Sequence, residues 1–120
     1  IDDGGVDIIH GHSSHHVKAI EVYRDRLILY GCGDLLNDYE GIGGYEEFRA
    51  DLSLMYFATV NSSNGKLVSL QMTPTQIRQF KINRAPGAEA MWLMNTLNRE
   101  SVSFGTRIKL DRNSRLTLHW

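Results

Sequence analysis

Residues 7-DIIHGHSSHHVKAIEVYRDRLILYGCGDLLND-38 decide how this chain folds. They follow Val6, and 6-VDII-9 is a short β-branched run bounded by Gly11, which predicts a strand. Two further strands are expected at 17-VKAIEVYR-24 and 26-RLILYG-31, joined by a tight turn at Asp25. In the first of these, Val17, Ala19 and Glu21 alternate with Lys18, Ile20 and Val22. The alternation is imperfect, as in a strand buried on much of both faces. Between the opening strand and this hairpin lies a histidine cluster. Four of the five histidines, His10, His12, His15 and His16, fall within seven residues.

The rest of the chain extends the same pattern outward. Ile1 to Gly5 reads as the end of a helix and the turn after it. The segment 31-GCGDLLNDYEGIGG-44 holds five glycines and no helical period, so it is expected to be a long, functional loop. A turn and then a strand at 52-LSLMYFATV-60 follow. Asn64-Gly65 supplies the positive φ values of a hairpin turn, and 66-KLVSLQMTP-74 is the return strand. A separate strand is expected at 76-QIRQFKINR-84. Pro86 opens a helix over about 87–101, with Met91, Met94 and Leu97 as its apolar stripe and Ala90, Trp92 and Leu93 widening it. The stripe reads as core packing. The tail is a hairpin, 107-RIKL-110 and 115-RLTLHW-120, around the turn Asp111 to Ser114. The expected fold is mixed α/β: about eight strands, sheets packed on each other, and one clear helix, in a single domain over residues 1–120.

Composition narrows the function classes. Hydrophobic residues make up 42% and charged residues 22%, which suits a folded globular chain. A net charge of -1 gives no global field to recruit nucleic acid or anionic membrane. One cysteine, Cys32, excludes an internal disulfide; its expected role is a small buried residue at a strand end. No apolar run approaches the ~20 residues of a membrane helix. The string Gly31-Cys32-Gly33-Asp34 lacks the third glycine and opening helix of a dinucleotide-binding fingerprint. Because the first residue is Ile1, the chain is expected to be a processed product or a fragment.

The histidines are the chemical candidates. Residues two apart on a strand share a face, so His10 and His12 are expected to project together at a strand end. Ligands collect beyond the carboxyl ends of strands in mostly parallel sheets, and neutral imidazole binds divalent ions. Asp34, Asp38 or Glu40 can supply carboxylates. A Ser- and His-rich exposed turn is the alternative reading, since a zinc site wants three or four protein ligands.

The run from Asp7 to Asp38 resembles the C-terminal signature of the CapA family of capsule biosynthesis proteins, linked to poly-γ-glutamate synthesis. Gly11, His12 and His15 match its Gly-His-x-x-His core, Glu21 matches a following glutamate, and Tyr30 with Gly33 match its strand end. Asp34 stands where the family usually has Asn, and Ser13-Ser14 replaces His-Pro. Pro74, the Phe104 to Thr106 triplet and the closing strand at Trp120 fit as well. The family is similar to calcineurin-like metallophosphoesterases, which implies a four-layer α/β/β/α sandwich of which this chain is the C-terminal part. It also implies a dinuclear centre of Mn, Zn or Fe with His12 and His15 as ligands. The ordered series of Asp-x-His, Gly-Asp and Gly-Asn-His-Asp/Glu blocks of those enzymes does not occur here. The resemblance therefore places the remaining ligands in an N-terminal part of the same protein.

In a phosphoesterase reading, His10 or His16 acts as acid or base and Asp34 helps position water. A non-catalytic binding module built on the glycine-rich loop is a further reading. By resemblance, partners would include that N-terminal part and capsule-synthesis membrane subunits, in members often anchored to a membrane and facing outward. Apolar edges left uncovered predict self-association.

Overall fold

The computed structural model describes residues 1–12, 15–34, 49, 51–79 and 81–120. Among them fall eight strands in two sheets, one α-helix and a short 3₁₀ turn, the mixed α/β architecture expected.

The first sheet comes from the stretch that opened the reading. It contains β1 (Ile8–His10), β2 (Ile20–Tyr23) and β3 (Arg26–Leu29), in the order β1-β3-β2. β3 is central, with β1 parallel and β2 antiparallel to it. Arg24 and Asp25 both take positive φ, 49° and 64°, so a two-residue turn closes the β2–β3 hairpin. Regular geometry in β2 begins at Ile20, three residues later than expected. Pairing nevertheless continues outward: Lys18 N–H donates to the Gly31 carbonyl at 3.0 Å, and Val17 bridges Cys32. β1 is shifted towards the histidines and includes His10.

The second sheet contains β4 (Leu52–Val60), β5 (Leu67–Arg78), β6 (Lys81–Arg84), β7 (Arg107–Leu110) and β8 (Leu116–His119). Its order is β4-β5-β8-β7, with β6 also on β5. Here the expected boundaries need correction. The return strand and the strand expected at 76–84 are not separate units. β5 runs unbroken for 12 residues through Pro74 to Arg78, and β6 folds back on it after Gln79 at φ 52°. Pro74 is tolerated inside β5 because β8 pairs only at Gln71 and Met72 and β6 pairs from Thr75 onward, leaving a gap in the ladder.

The helix α1 spans Gly87–Ser101, as expected, with Pro86 at its N-cap. Its buried face is rotated from the expected stripe. Ala90, Leu93 and Leu97 are buried, three and four residues apart, while Met91 is 49% exposed. A 3₁₀ turn, Val102–Phe104, follows and ends at Gly105 with φ 77°. One core cluster unites both sheets and the helix through Ile20, Leu27, Leu70, Met72, Leu93 and Leu116.

Side chains finish two strand edges. Ile20, on the outer strand of the first sheet, donates its N–H to Ser101 Oγ at 3.0 Å, and its carbonyl accepts from the Thr106 hydroxyl at 2.7 Å. Asn98 does the same for β7: it donates to the Ile108 carbonyl at 3.0 Å and accepts from the Ile108 N–H at 2.7 Å. Both devices satisfy backbone groups that an uncovered edge leaves unpaired. Among the described residues no helix is long and apolar enough to cross a membrane.

Candidate functional site

The parallel pairing of β1 with β3 sets the site, because both strands end on the same side. Gly11 prolongs β1 by one residue, its N–H donating to the Leu29 carbonyl at 2.7 Å. A Cβ at Gly11 would fall well under 3.0 Å from the Tyr30 carbonyl oxygen. The glycine of the Gly-His pair is thus required by backbone close approach, and it delivers His12 beside the end of β3.

His10, the last residue of β1, is exposed, as is His12. Ser13 and Ser14, the expected turn after them, lie outside the described residues, as do Asp38 and Glu40. His15 follows at 49% side-chain exposure, with its Nδ1 2.7 Å from Asp34 Oδ2. An ionised carboxylate can only accept, so Nδ1 is the donor in this pair. In the neutral ring, Nε2 then carries the lone pair, the arrangement in which a carboxylate orients a histidine ligand or base. The Val17–Cys32 bridge holds the segments that carry His15 and Asp34 side by side.

His16 is partly buried. Burial lowers its imidazole pKa, and Lys18 and His15 lower it further against the opposing pull of Glu100. The balance favours the neutral ring of His16. The structure pairs His15 with Asp34, with His16 next to His15 in the chain, and places His10 and His12 at and just beyond the end of β1.

The other signature residues brace this face. The Tyr30 hydroxyl donates to Glu21 Oε1 at 2.6 Å, which raises the phenol pKa. Its ring stacks on Phe104, with centroids 5.3 Å apart and planes 13° from parallel. The resemblance marked Glu21, Tyr30 and Phe104 singly; their contact was not foreseen. Hairpin register carried the signal: a two-residue turn at Arg24-Asp25 sets Tyr30 opposite Ala19, and Glu21 shares the face of Ala19.

Cys32 is half-buried, and burial pushes its thiol pKa up. A raised pKa disfavours the thiolate, in keeping with a packing role. Its carbonyl accepts from the Ser53 hydroxyl at 3.1 Å. Among the described residues the buried Tyr56 hydroxyl has no hydrogen-bond partner, and its pKa is raised by that burial and by Cys32 nearby.

No three His, Cys, Asp or Glu side chains among the described residues converge so as to hold a metal ion. A pair of histidines and a carboxylate bound to one of them do not by themselves complete a dinuclear cage, and no reaction step through a metal follows from the described residues alone.

The sequence that builds this geometry has known relatives. The chain belongs to the CapA family of bacterial capsule synthesis proteins. The model of the family described as "Bacterial capsule synthesis protein PGA_cap" matches residues 1–39, the segment holding all of β1 to β3. Two proteins of Mycobacterium tuberculosis strains, each described as a "Probable polyglutamine synthesis accessory protein", are 49% identical over 106 residues. That match takes in 88% of this chain, and the chain covers 28% of the length of each relative.

Proposed function

We propose that this chain is the C-terminal part of a poly-γ-glutamate capsule synthesis and export protein with a metallophosphoesterase-like fold, and that it supplies the histidine face of a divalent-metal centre. The His15–Asp34 pair carries the reading: at 2.7 Å it fixes which ring nitrogen stays available at the ends of two parallel strands. His12 and His15 are the metal ligands in this reading, and Asp34 acts by orienting His15. His10 and His16, flanking them, are the acid–base candidates. The remaining ligands come from elsewhere in the protein, and the metal is Mn, Zn or Fe.

Two measurements test it. A parent protein that includes this segment is stripped with chelator and assayed on a generic phosphoester with Mn or Zn restored. Metal-dependent turnover that disappears in His12→Ala is expected. No metal-dependent turnover, together with an unaltered His12→Ala variant, refutes the hydrolase reading. Calorimetric titration of these 120 residues alone is expected to show weak metal binding only. Tight stoichiometric binding contradicts a shared site.

A further inference from the structure

Charge along the chain is segregated. Between Asp51 and Glu89 the sequence holds no acidic residue, while Lys66, Arg78, Lys81 and Arg84 all fall there. Lys66 pairs with Asp25 at 3.6 Å. The other three stand on the β5–β6 hairpin, exposed, with Arg78 directly across from Lys81. Cross-strand neighbours lie about 5 Å apart at Cα, so like charges here repel unless an anion lies between them. Among the described residues no carboxylate forms an ion pair with Arg78, Lys81 or Arg84.

The cationic surface extends beyond the hairpin. Arg84 Nη2 donates to the Asn113 carbonyl, which brings the β7–β8 turn with Arg112 and Arg115 alongside. The one carboxylate in that turn, Asp111, is engaged with its own backbone. It accepts the Arg115 N–H at 3.0 Å and the Asn113 N–H at 2.8 Å, and those bonds, with the charges of Arg115 and Arg84, hold its pKa below the usual carboxylate range. The hairpin also encloses a groove of about 370 Å³, lined by Arg78, Lys81 and Arg84 and by the carboxamides of Gln76, Gln79 and Asn83. Among the described residues no acidic side chain lines it; Asp51 lies behind it, accepting from Gln76 Nε2 at 2.9 Å.

We propose that this groove binds an anionic polyamide: a chain that repeats a free carboxylate and an amide, of which poly-γ-glutamate is the form the capsule reading supplies. Guanidinium and ammonium groups meet the carboxylates, and the Gln79 carboxamide with the carboxamide oxygens of Gln76 and Asn83 meets the amides; the Gln76 NH2 is committed to Asp51 at 2.9 Å and that of Asn83 to the Lys81 carbonyl at 3.1 Å. Single-stranded nucleic acid is the competing polyanion, held by aromatic stacking as much as by charge. The identity of the polymer rests on the capsule reading; the charge and shape of the groove do not.

The full chain is titrated with fluorescently labelled poly-γ-glutamate of defined length, read by anisotropy at two salt concentrations. Saturable binding that weakens with salt is expected. Arg78→Gln combined with Lys81→Gln is expected to weaken it about tenfold, from the loss of two exposed charge contacts. Lys109→Gln, on β7 away from the groove, leaves binding unchanged. Thermal melts check that the double variant folds, and Lys81→Arg retains affinity. The proposal is overturned if the double variant binds within about twofold of wild type, or if single-stranded RNA of equal charge binds as tightly. Polymer output from cells lacking the protein tests the capsule reading separately. Undiminished output sinks that reading whatever the groove binds. Lost output beside an indifferent double variant sinks the groove alone.

Discussion

Gly11→Ala tests the link between the signature and the backbone. The added Cβ would meet the Tyr30 carbonyl oxygen well under 3.0 Å. That neighbour is backbone, fixed by the Tyr30 N–H bond to the Ala19 carbonyl at 3.1 Å, so it cannot swing aside. The β1 end must move instead, and the 2.7 Å bond from Gly11 N–H to Leu29 lengthens or breaks. Overpacking of this kind costs about 1–3 kcal/mol, and the lost hydrogen bond adds about 1 kcal/mol. The sum, roughly 2–4 kcal/mol, corresponds to a fall in melting temperature on the order of 10 °C for a chain of this size. Circular dichroism melts and urea unfolding read the loss, and amide exchange at Gly11 should speed up with it. Gly87→Ala is the matched control. A Cβ there has open space, the residue begins α1, and alanine should be neutral or raise stability by up to about 1 kcal/mol. If Gly11→Ala melts within about 2 °C of wild type, the close-approach argument is wrong.

Three more outcomes are expected. Asn98→Ala leaves the Ile108 N–H and carbonyl without their partners and should cost about 2–3 kcal/mol in denaturant unfolding, with an unchanged m-value. Burial alone would raise the Asp51 pKa, but hydrogen bonds from Arg49 and Gln76 outweigh it and hold the carboxyl below its ordinary value. Its stabilisation is therefore present above the unfolded carboxylate pKa and lost as pH falls through the lower folded value, and Asp51→Asn should flatten that acid limb of the stability curve. Finally, β1 lies at a sheet edge with Ile8 41% and Ile9 40% exposed, so the isolated chain should self-associate and Ile9→Lys should reduce it; light scattering from a clean monomer at high concentration rules this out.

The boundaries that sequence reasoning placed well are those fixed by local chemistry. Leu52–Val60, Gly87–Ser101 and the β7–β8 hairpin each end at residues with a steric or hydrogen-bonding reason to stop: Asn64-Gly65, Pro86, Asp111. The misplaced boundaries depend on partners distant in sequence. Nothing local to Gln76 or Arg78 says that β5 continues there. It continues because β4 pairs with it from Leu52 to Val60 and β6 folds back from Lys81. The face of α1 shows the same limit. Met91, Ala90 and Leu93 are all apolar, and only docking beside β7 and β2 decides that Ala90 and Leu93 turn inward while Met91 stays exposed.

The candidate site divides in the same way. The sequence alone determined that histidines cluster after a short strand, that a glycine stands among them, and that the chain is a mixed, strand-rich unit of the capsule synthesis family. The first two and the strand content are properties of residue type and spacing; the family came from resemblance to a known signature. Tertiary structure decided that Asp34, 19 positions from His15, is the carboxylate that holds it. It also decided that Tyr30 stacks on Phe104 and that scattered cations gather on one hairpin. Each of these depends on strand register and sheet order, and both are settled by burying one shared core rather than by neighbours along the chain.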